Sequence, residues 1–191
     1  MRNPFVRLAV VLMLISGLAS AALALVDSFT GPRIKAAQQA ALQEALSEAL
    51  PGAASFAEDA AFLAEAKKED GSLDAAVAFY RAKAADGSMG GIVVTAAPAG
   101  YGGPVTAMIG IGPDGAVRAV RILGQTETPG LGTKVTRDEF LRAFAGAKAG
   151  DTLAVDKDGG RIAAVAGATI SSRAVVKAVN IALSLARRAG L

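Results

Sequence analysis

The chain has 191 residues, of which 52% are hydrophobic; this suits one small principal domain with an appendage and excludes a chain that is disordered throughout. It contains no cysteine and no histidine, which excludes disulfides, thiolate or imidazole metal sites and Cys- or Ser–His-based nucleophiles, so any chemistry must come from carboxylates, hydroxyls, basic side chains or a cofactor. The net charge is +3, from 20 basic and 17 acidic residues, and only 5% of the residues are aromatic, so a nucleic-acid partner is not expected. Without cysteine or histidine, a metal site is not expected either.

An uncharged stretch of 19 residues, from Leu8 to Val26, predicts a single transmembrane helix, because a helix of that length crosses a hydrocarbon core of about 30 Å. Arg2 and Arg7 precede this stretch, so the positive-inside bias predicts a cytoplasmic N-terminus with the main domain on the other side of the membrane. A cleaved signal peptide is the alternative, since small residues near the end of the stretch could form a cleavage site. The apolar run is longer than a usual signal-peptide core, which favours retention of the helix.

Composition changes along the chain predict three regions. Residues 1–30 form the cytoplasmic N-terminus and transmembrane helix, residues 31–75 a juxtamembrane helical region, and residues 76–191 the extracytoplasmic domain. The Gly31-Pro32 pair predicts a break after the membrane segment. Helices are then expected over residues 33–50 and 58–69.

The middle of the chain predicts a β-sheet. Four stretches rich in apolar and β-branched residues predict strands over residues 76–82, 89–97, 105–111 and 116–123. The Pro113-Asp114-Gly115 turn should join the last two strands as a hairpin, because its residues favour the backbone angles of a tight turn.

The C-terminal part predicts two helices separated by a short strand over residues 162–165. Thr136 is the expected N-cap of the first helix, which should end near Ala145. Ser171 or Ser172 should cap the last helix, which is expected from about Ser172 to Arg188. Together these elements predict an α+β fold, in which an antiparallel sheet is packed by helices behind one N-terminal transmembrane helix.

Two segments contain more glycine and hydroxyl residues than a simple connection requires. Residues 125–134 combine a proline, two glycines and polar side chains, which favours close approach of a ligand, although an ordinary polar loop has the same composition. Residues 167–172 precede the last helix, whose free N–H groups attract an anion such as phosphate; an ordinary helix cap is the alternative. Thr169 in this segment is a poor nucleophile without a base, so a self-catalysed reaction is not expected.

Three motifs follow one another behind the membrane segment: GYGGPV at residues 100–105, ETPGLG at residues 127–132 and GATISSRAVVKAVN at residues 167–180. In this order they resemble the FMN-binding G subunits of Rnf complexes, which are ion-translocating ferredoxin:NAD oxidoreductases. These G subunits are similar to the C subunits of Na⁺-translocating NADH:quinone oxidoreductases. The resemblance covers roughly residues 1–188 and is strongest from Gly90 onward.

The resemblance implies an electron-transfer subunit of the inner (cytoplasmic) membrane, spanning it once, with its main domain periplasmic or extracellular. It implies a translocase subunit that is not catalytic alone, has no catalytic residue of its own and depends on the other membrane and peripheral subunits. FMN would be linked by a phosphoester to Thr169. A separate flavin transferase, using FAD as donor, would attach it. The other residues implied in the FMN site are Tyr101, Glu127, Thr128, Leu131, Gly132, Lys134, Gly167, Ala168, Ile170 and Ser171.

The sequence departs from the family at the attachment motif. That motif usually reads Asp, two variable residues, Ser or Thr, and then Gly-Ala-Thr, whereas this chain has Ala163 and Ala166 at the two upstream polar positions. The substitutions remove an acid available for transferase recognition and a hydroxyl available to the phosphate. A membrane-anchored structural or assembly subunit of the same kind of complex, with non-covalent FMN or none, is therefore the alternative function.

Overall fold

The N-terminal helix is longer than the sequence predicts. The computed structural model of the protein describes residues 4–191, and Arg2, one of the two residues used to orient the chain, lies outside them. Helix α1 runs without interruption over Pro4–Ala49 and contains Pro32, so the predicted break at Gly31-Pro32 is wrong. Proline removes one backbone hydrogen bond, but the flanking Ala- and Leu-rich residues have high helix propensity and continue the helix on both sides.

The apolar part of α1 meets the criteria for a membrane span. By length and composition, α1 is the one candidate span within residues 4–191, with a mean hydropathy of 2.5 over its most apolar window. The side chains of this window are exposed rather than packed in a protein core. The described residues up to Glu44 form one compact unit, and Ala45–Leu191 form a second.

A five-stranded antiparallel sheet forms the centre of the second unit. Its strands follow chain order across the sheet, each paired with the next. The predicted antiparallel sheet and its hairpin are therefore confirmed. The strands are β1 (Ser55–Glu58), β2 (Ala76–Lys83), β3 (Met89–Ala96), β4 (Thr106–Ile111) and β5 (Val117–Gly124).

Strand β1 has no counterpart among the strands that the sequence predicts, because it is only four residues long and mostly exposed. It lies at the edge of the sheet, where its pairing with β2 opposes Phe56 to Ala82. The next element, α2 (Ala60–Glu69), is close to its prediction; the carboxylate of Asp59 caps it by accepting a hydrogen bond of 3.0 Å from the Phe62 backbone N–H.

Both faces of the sheet are covered. The C-terminal helix α4 (Thr169–Arg188) packs on one face, with a buried stripe that includes Val175, Val179 and Ala182. On the opposite face, the last turn of α1 contacts β4 so closely that a Cβ on Gly110 would collide with the carbonyl oxygen of Ala49. The sequence predicts the helix on one face, but it does not predict the contact from α1.

The helices near the C-terminus begin at different residues from those predicted. Helix α3 is short (Asp138–Arg142) and has Arg137, not Thr136, at its N-cap; the Thr136 hydroxyl donates to the Thr133 carbonyl instead (2.9 Å). Helix α4 begins at Thr169, three residues earlier than expected, and no side chain caps it. The predicted cap by Ser171 or Ser172 is therefore wrong, because both lie inside the first turn.

The predicted strand at residues 162–165 is reduced to a single bridge between Ile162 and Val155. Hydrogen bonds to side chains account for two of the backbone N–H groups that follow. The Ala164 N–H donates to Asp156 Oδ1 (3.0 Å), and the Val165 N–H donates to Ser172 Oγ (3.1 Å). This segment is therefore an irregular loop that leads into α4.

Candidate cofactor cleft

Ten of the eleven residues assigned to the FMN site line one cleft of about 560 Å³. Its volume lies within the range of small-molecule and cofactor pockets. The cleft is formed by the GYGGP turn (residues 100–104), the loop after β5 (residues 125–131) and the start of α4. Its lining residues are Tyr101, Glu127, Thr128, Leu131, Gly132, Gly167, Ala168, Thr169, Ile170 and Ser171.

Lys134 is the exception, because it lines a neighbouring cavity of about 340 Å³. Lys134 lies in a 3₁₀-helix (Gly132–Thr136), which turns its side chain toward that cavity while Gly132 remains at the cleft. Arg137 and Ala163 line the same second cavity. Ala163, one of the two positions at which the sequence departs from the expected attachment motif, thus shares a cavity with two basic residues and with Glu139.

Glu127 connects two walls of the cleft. Its side chain is buried, and its carboxylate accepts hydrogen bonds from the backbone N–H groups of Tyr101 (2.8 Å) and Gly102 (3.3 Å). The Gln125 side chain accepts a bond of 2.6 Å from the Glu127 N–H. Two donors to one buried carboxylate form a charge-assisted arrangement, which holds the GYGGP turn against the loop after β5.

Glycines in the GYGGP turn permit this close approach. A Cβ on Gly100 would collide with the Glu127 carboxylate, and one on Gly102 would collide with the Thr126 carbonyl oxygen. Gly103 has a φ of +153° and faces the Thr126 hydroxyl, which itself donates to the Gly102 carbonyl at 3.2 Å. The motif therefore lets the turn lie directly on residues 126–127.

Thr169 lies at the first position of α4, where it is partly exposed to the cleft. Its hydroxyl has no hydrogen-bond partner within residues 4–191. In the same part of the chain, the backbone N–H groups of Thr169, Ile170 and Ser171 also have none, as expected for a first helical turn without a capping side chain. These donors and the helix dipole make the site favourable for a phosphate group.

Hydrogen bonds within the loop that precedes Thr169, and between this loop and α4, hold the loop in place. The Arg173 guanidinium donates to both oxygens of Asp158, at 2.8 and 2.6 Å, and this lowers the pKa of that carboxyl from its ordinary value of 3.8. The bond from the Ala164 N–H likewise lowers the pKa of Asp156. Ser172 completes the support, since its hydroxyl donates to the Ala168 carbonyl at 2.9 Å.

The supporting residues Asp156, Asp158, Ser172 and Arg173 are not among the site residues that the sequence predicts. One signal is available, because Arg173 comes four residues after Thr169 and such residues are neighbours on a helix. The partner of Arg173 cannot be read from spacing, since Asp158 lies 15 residues away across an irregular loop.

Two protein-family models match this chain, one over its N-terminal helix and one over the part that contains the cleft. A family model described as "FMN-binding domain" matches residues 100–184, and one described as "RnfG N-terminal region" matches residues 1–49. The crystal structure of Shewanella oneidensis NqrC is a structural neighbour, at 22% identity with a TM-score of 0.47, covering 56% of this chain and 55% of that chain.

Several relatives are named as G subunits of ion-translocating oxidoreductase complexes. The Stutzerimonas stutzeri protein is 44% identical over 95 residues, which are 47% of this chain and only 42% of that protein. The Methanosarcina acetivorans protein is 33% identical over 93% of this chain and 92% of its own length, and the Pseudomonas aeruginosa protein is 35% identical over 95% and 88%. Because the last two matches extend over nearly the whole of both proteins, this chain belongs to the family of ion-translocating oxidoreductase complex G subunits.

Proposed function

We propose that this chain is an electron-transfer subunit of an ion-translocating ferredoxin:NAD oxidoreductase complex and that it carries FMN through a phosphoester bond to Thr169. The observation that carries the proposal is the Thr169 hydroxyl, which lies without a hydrogen-bond partner in residues 4–191 at the uncapped start of α4 and opens into the cleft. When bound, FMN supplies the redox chemistry that the side chains of this protein lack.

The residues of the cleft fit FMN. The free N–H groups of the first turn of α4 suit its phosphate, and the cleft volume of about 560 Å³ suits a ligand of its size. Leu131 and Ile170 provide apolar surface for a ring, while Glu127 and Ser171 provide polar atoms deeper in the cleft. This division between apolar walls and a few placed polar groups is typical of cofactor sites.

Attachment requires a second protein. In the proposed step the Thr169 oxygen bonds to the FMN phosphorus of FAD, the bond from that phosphorus to the bridging oxygen breaks, AMP leaves, and the hydroxyl proton passes to solvent. A threonine hydroxyl is a weak nucleophile without an adjacent base. Within residues 4–191 no base is hydrogen-bonded to Thr169, so we assign activation of the hydroxyl to a flavin transferase that docks at the cleft.

In this proposal the membrane segment anchors the chain to the membrane. We propose that the apolar part of α1 spans the membrane once, with Arg7 on the cytoplasmic side and the second unit outside. Electron transfer then depends on the integral and peripheral subunits that bring other carriers close to the cleft. The role of this chain is to hold, orient and partly shield its flavin.

The proposal is tested by expressing the full chain together with a flavin transferase and examining a denaturing gel for flavin fluorescence. Wild-type protein should give a fluorescent band, and Thr169→Ala should give none. Fluorescence that persists in the variant would refute the assigned residue. A wild-type band without fluorescence would favour the alternative, a structural subunit in which Ala163 and Ala166 have ended covalent attachment.

A further inference from the structure

Two adjacent serines at the start of α4 are both buried but have different surroundings. The Ser172 hydroxyl donates to the Ala168 carbonyl and accepts from the Val165 N–H. Ser171 is 1% exposed and lines the cleft, yet its hydroxyl has no hydrogen-bond partner within the described residues 4–191. Within residues 4–191 no fully buried side-chain oxygen or nitrogen lacks a partner, so the Ser171 hydroxyl retains access to the cleft and is available to a ligand.

The Ser171 hydroxyl lies beside a buried acceptor. A Cβ placed on Gly132 would lie 3.0 Å from Ser171 Oγ and 2.6 Å from Glu127 Oε2, so both oxygens border the same small space. Glu127 is held by the N–H groups of Tyr101 and Gly102. An ionised carboxylate has about four lone-pair sites, so Glu127 can accept a further bond from a ligand.

The cleft therefore has a polar inner end and an apolar mouth. Thr169 and Ser171 both line the cleft, but Thr169 is partly exposed whereas Ser171 is buried. Three large apolar side chains line the cleft but remain exposed: Tyr101 at 71%, Leu131 at 47% and Ile170 at 46%. A bound ring with one polar and one apolar edge would be oriented by this difference.

We propose that Ser171 and Glu127 bind the pyrimidine edge of the isoalloxazine ring. The Ser171 hydroxyl donates to a ring carbonyl oxygen, and the Glu127 carboxylate accepts from the ring N–H. The dimethylbenzene edge then lies toward Tyr101, Leu131 and Ile170 at the mouth, where a redox partner can approach it. This inference rests on the proposed function in that it takes FMN as the ligand, but it does not require a covalent bond to Thr169.

The first experiment compares Ser171→Ala with Ser172→Ala in flavin-loaded full-length protein. Loss of a donor to a ring carbonyl should move the flavin carbonyl stretch to higher frequency in the infrared spectrum and lower the flavin midpoint potential, since such a donor stabilises the extra charge of the reduced ring. Ser172→Ala should lower thermal stability without shifting the carbonyl band. Ser171→Thr, which keeps the hydroxyl, should retain the wild-type spectrum.

The second experiment separates this inference from covalent attachment. Free FMN is titrated onto the full chain carrying Thr169→Ala and onto the Thr169→Ala, Ser171→Ala double variant. Loss of one hydrogen bond should weaken FMN binding by about two- to tenfold. Equal FMN affinities, or a carbonyl band in Ser171→Ala identical to that of wild type, would overturn the assignment of Ser171. A fluorescent band from Thr169→Ala on a denaturing gel would instead contradict Thr169 as the attachment site. The titration alone would then decide whether Ser171 binds the ring.

Discussion

The carboxylate of Glu127 accepts a hydrogen bond of 2.8 Å from the backbone N–H of Tyr101, 26 residues earlier in the chain. This bond joins the GYGGP turn to the loop that follows β5, and the two segments form adjoining walls of the cleft. Two motifs that are separate in the sequence thus form one structural unit. The role of Glu127 is therefore to build the cleft as well as to supply polarity inside it.

Replacing Glu127 with alanine should destabilise the domain. The variant leaves the N–H groups of Tyr101 and Gly102 without their charged acceptor, and hydrogen bonds to charged groups contribute about 1.5–3 kcal/mol each. Because the bond from Gly102 is long at 3.3 Å, we count the Tyr101 bond as the main loss and expect the free energy of unfolding, measured by chemical denaturation, to fall by about 1.5–3 kcal/mol. Exposed Glu139 is the matched control, and its change to alanine should alter stability by less than about 0.5 kcal/mol. Equal stabilities of the two variants would contradict this role for Glu127.

Gly132→Ala should narrow the cleft. The added methyl group would lie 2.6 Å from Glu127 Oε2 and 3.0 Å from Ser171 Oγ, so at least one of these groups must move. Overpacking of this kind costs about 1–3 kcal/mol, and flavin content should fall with it. Gly124→Ala is the control, because nothing lies within 4 Å of a Cβ there. If both variants retained wild-type stability and flavin content, the close packing around Gly132 would be unimportant to the site.

Ala163→Asp should increase flavin incorporation several-fold. The change restores the acid of the attachment motif, and it places a carboxylate in the cavity lined by Lys134, Arg137 and Glu139, where two basic side chains outnumber the one acidic side chain. Incorporation is measured as in-gel fluorescence against time after induction of the transferase. Ala164→Asp is the control, because Ala164 lines the same cavity and the change adds the same charge one position out of register, next to Asp156. An equal effect of both changes would show that charge alone, and not the motif position, governs incorporation.

The Asp158–Arg173 pair should make stability depend on pH. The Arg173 hydrogen bonds lower the pKa of Asp158 in the folded state below its ordinary value of 3.8, so the folded state favours the ionised carboxylate. Its stabilising effect is fully present above the unfolded pKa and is lost as the pH falls through the lower, folded pKa. We therefore expect the stability difference between wild type and Asp158→Asn to stay constant above about pH 5 and to shrink as the pH falls from about 5 through the folded pKa, which lies below 3.8. A difference that stayed constant over this range would contradict the role assigned to the pair.

Much of the fold is readable from the sequence, because hydrophobic alternation and turn residues are local signals. The predictions for strands β2 to β5 and for the end of α4 at Arg188 are close to the structure for this reason. The predicted break at Gly31-Pro32 is wrong because helix propensity on both sides of Pro32 outweighs the local breaker. Edge strand β1 carries too weak a pattern to be recognised, since it depends on pairing with β2.

The sequence predicts which residues form the site, but it does not predict the contacts between them. The motif segments point to Glu127, Thr169 and Ser171, yet nothing in the spacing indicates that Glu127 binds the GYGGP turn or that Ser171 lies beside Gly132. The predicted start of α4 is too late because serine is a common N-cap residue, and Ser172 is therefore expected to cap the helix. Its hydroxyl instead forms hydrogen bonds with the loop that precedes α4. Lys134 cannot be separated from the cleft without knowing that its segment forms a 3₁₀-helix.

Peptide-resolved mass spectrometry of the full chain, purified after co-expression with a flavin transferase, shows whether Thr169 carries the flavin. We expect the intact chain to gain the mass of one FMN less one water, and we expect fragmentation to place this gain on Thr169. A chain of unmodified mass, or a flavin located on any other hydroxyl, including the neighbouring Ser171 or Ser172, would contradict this assignment.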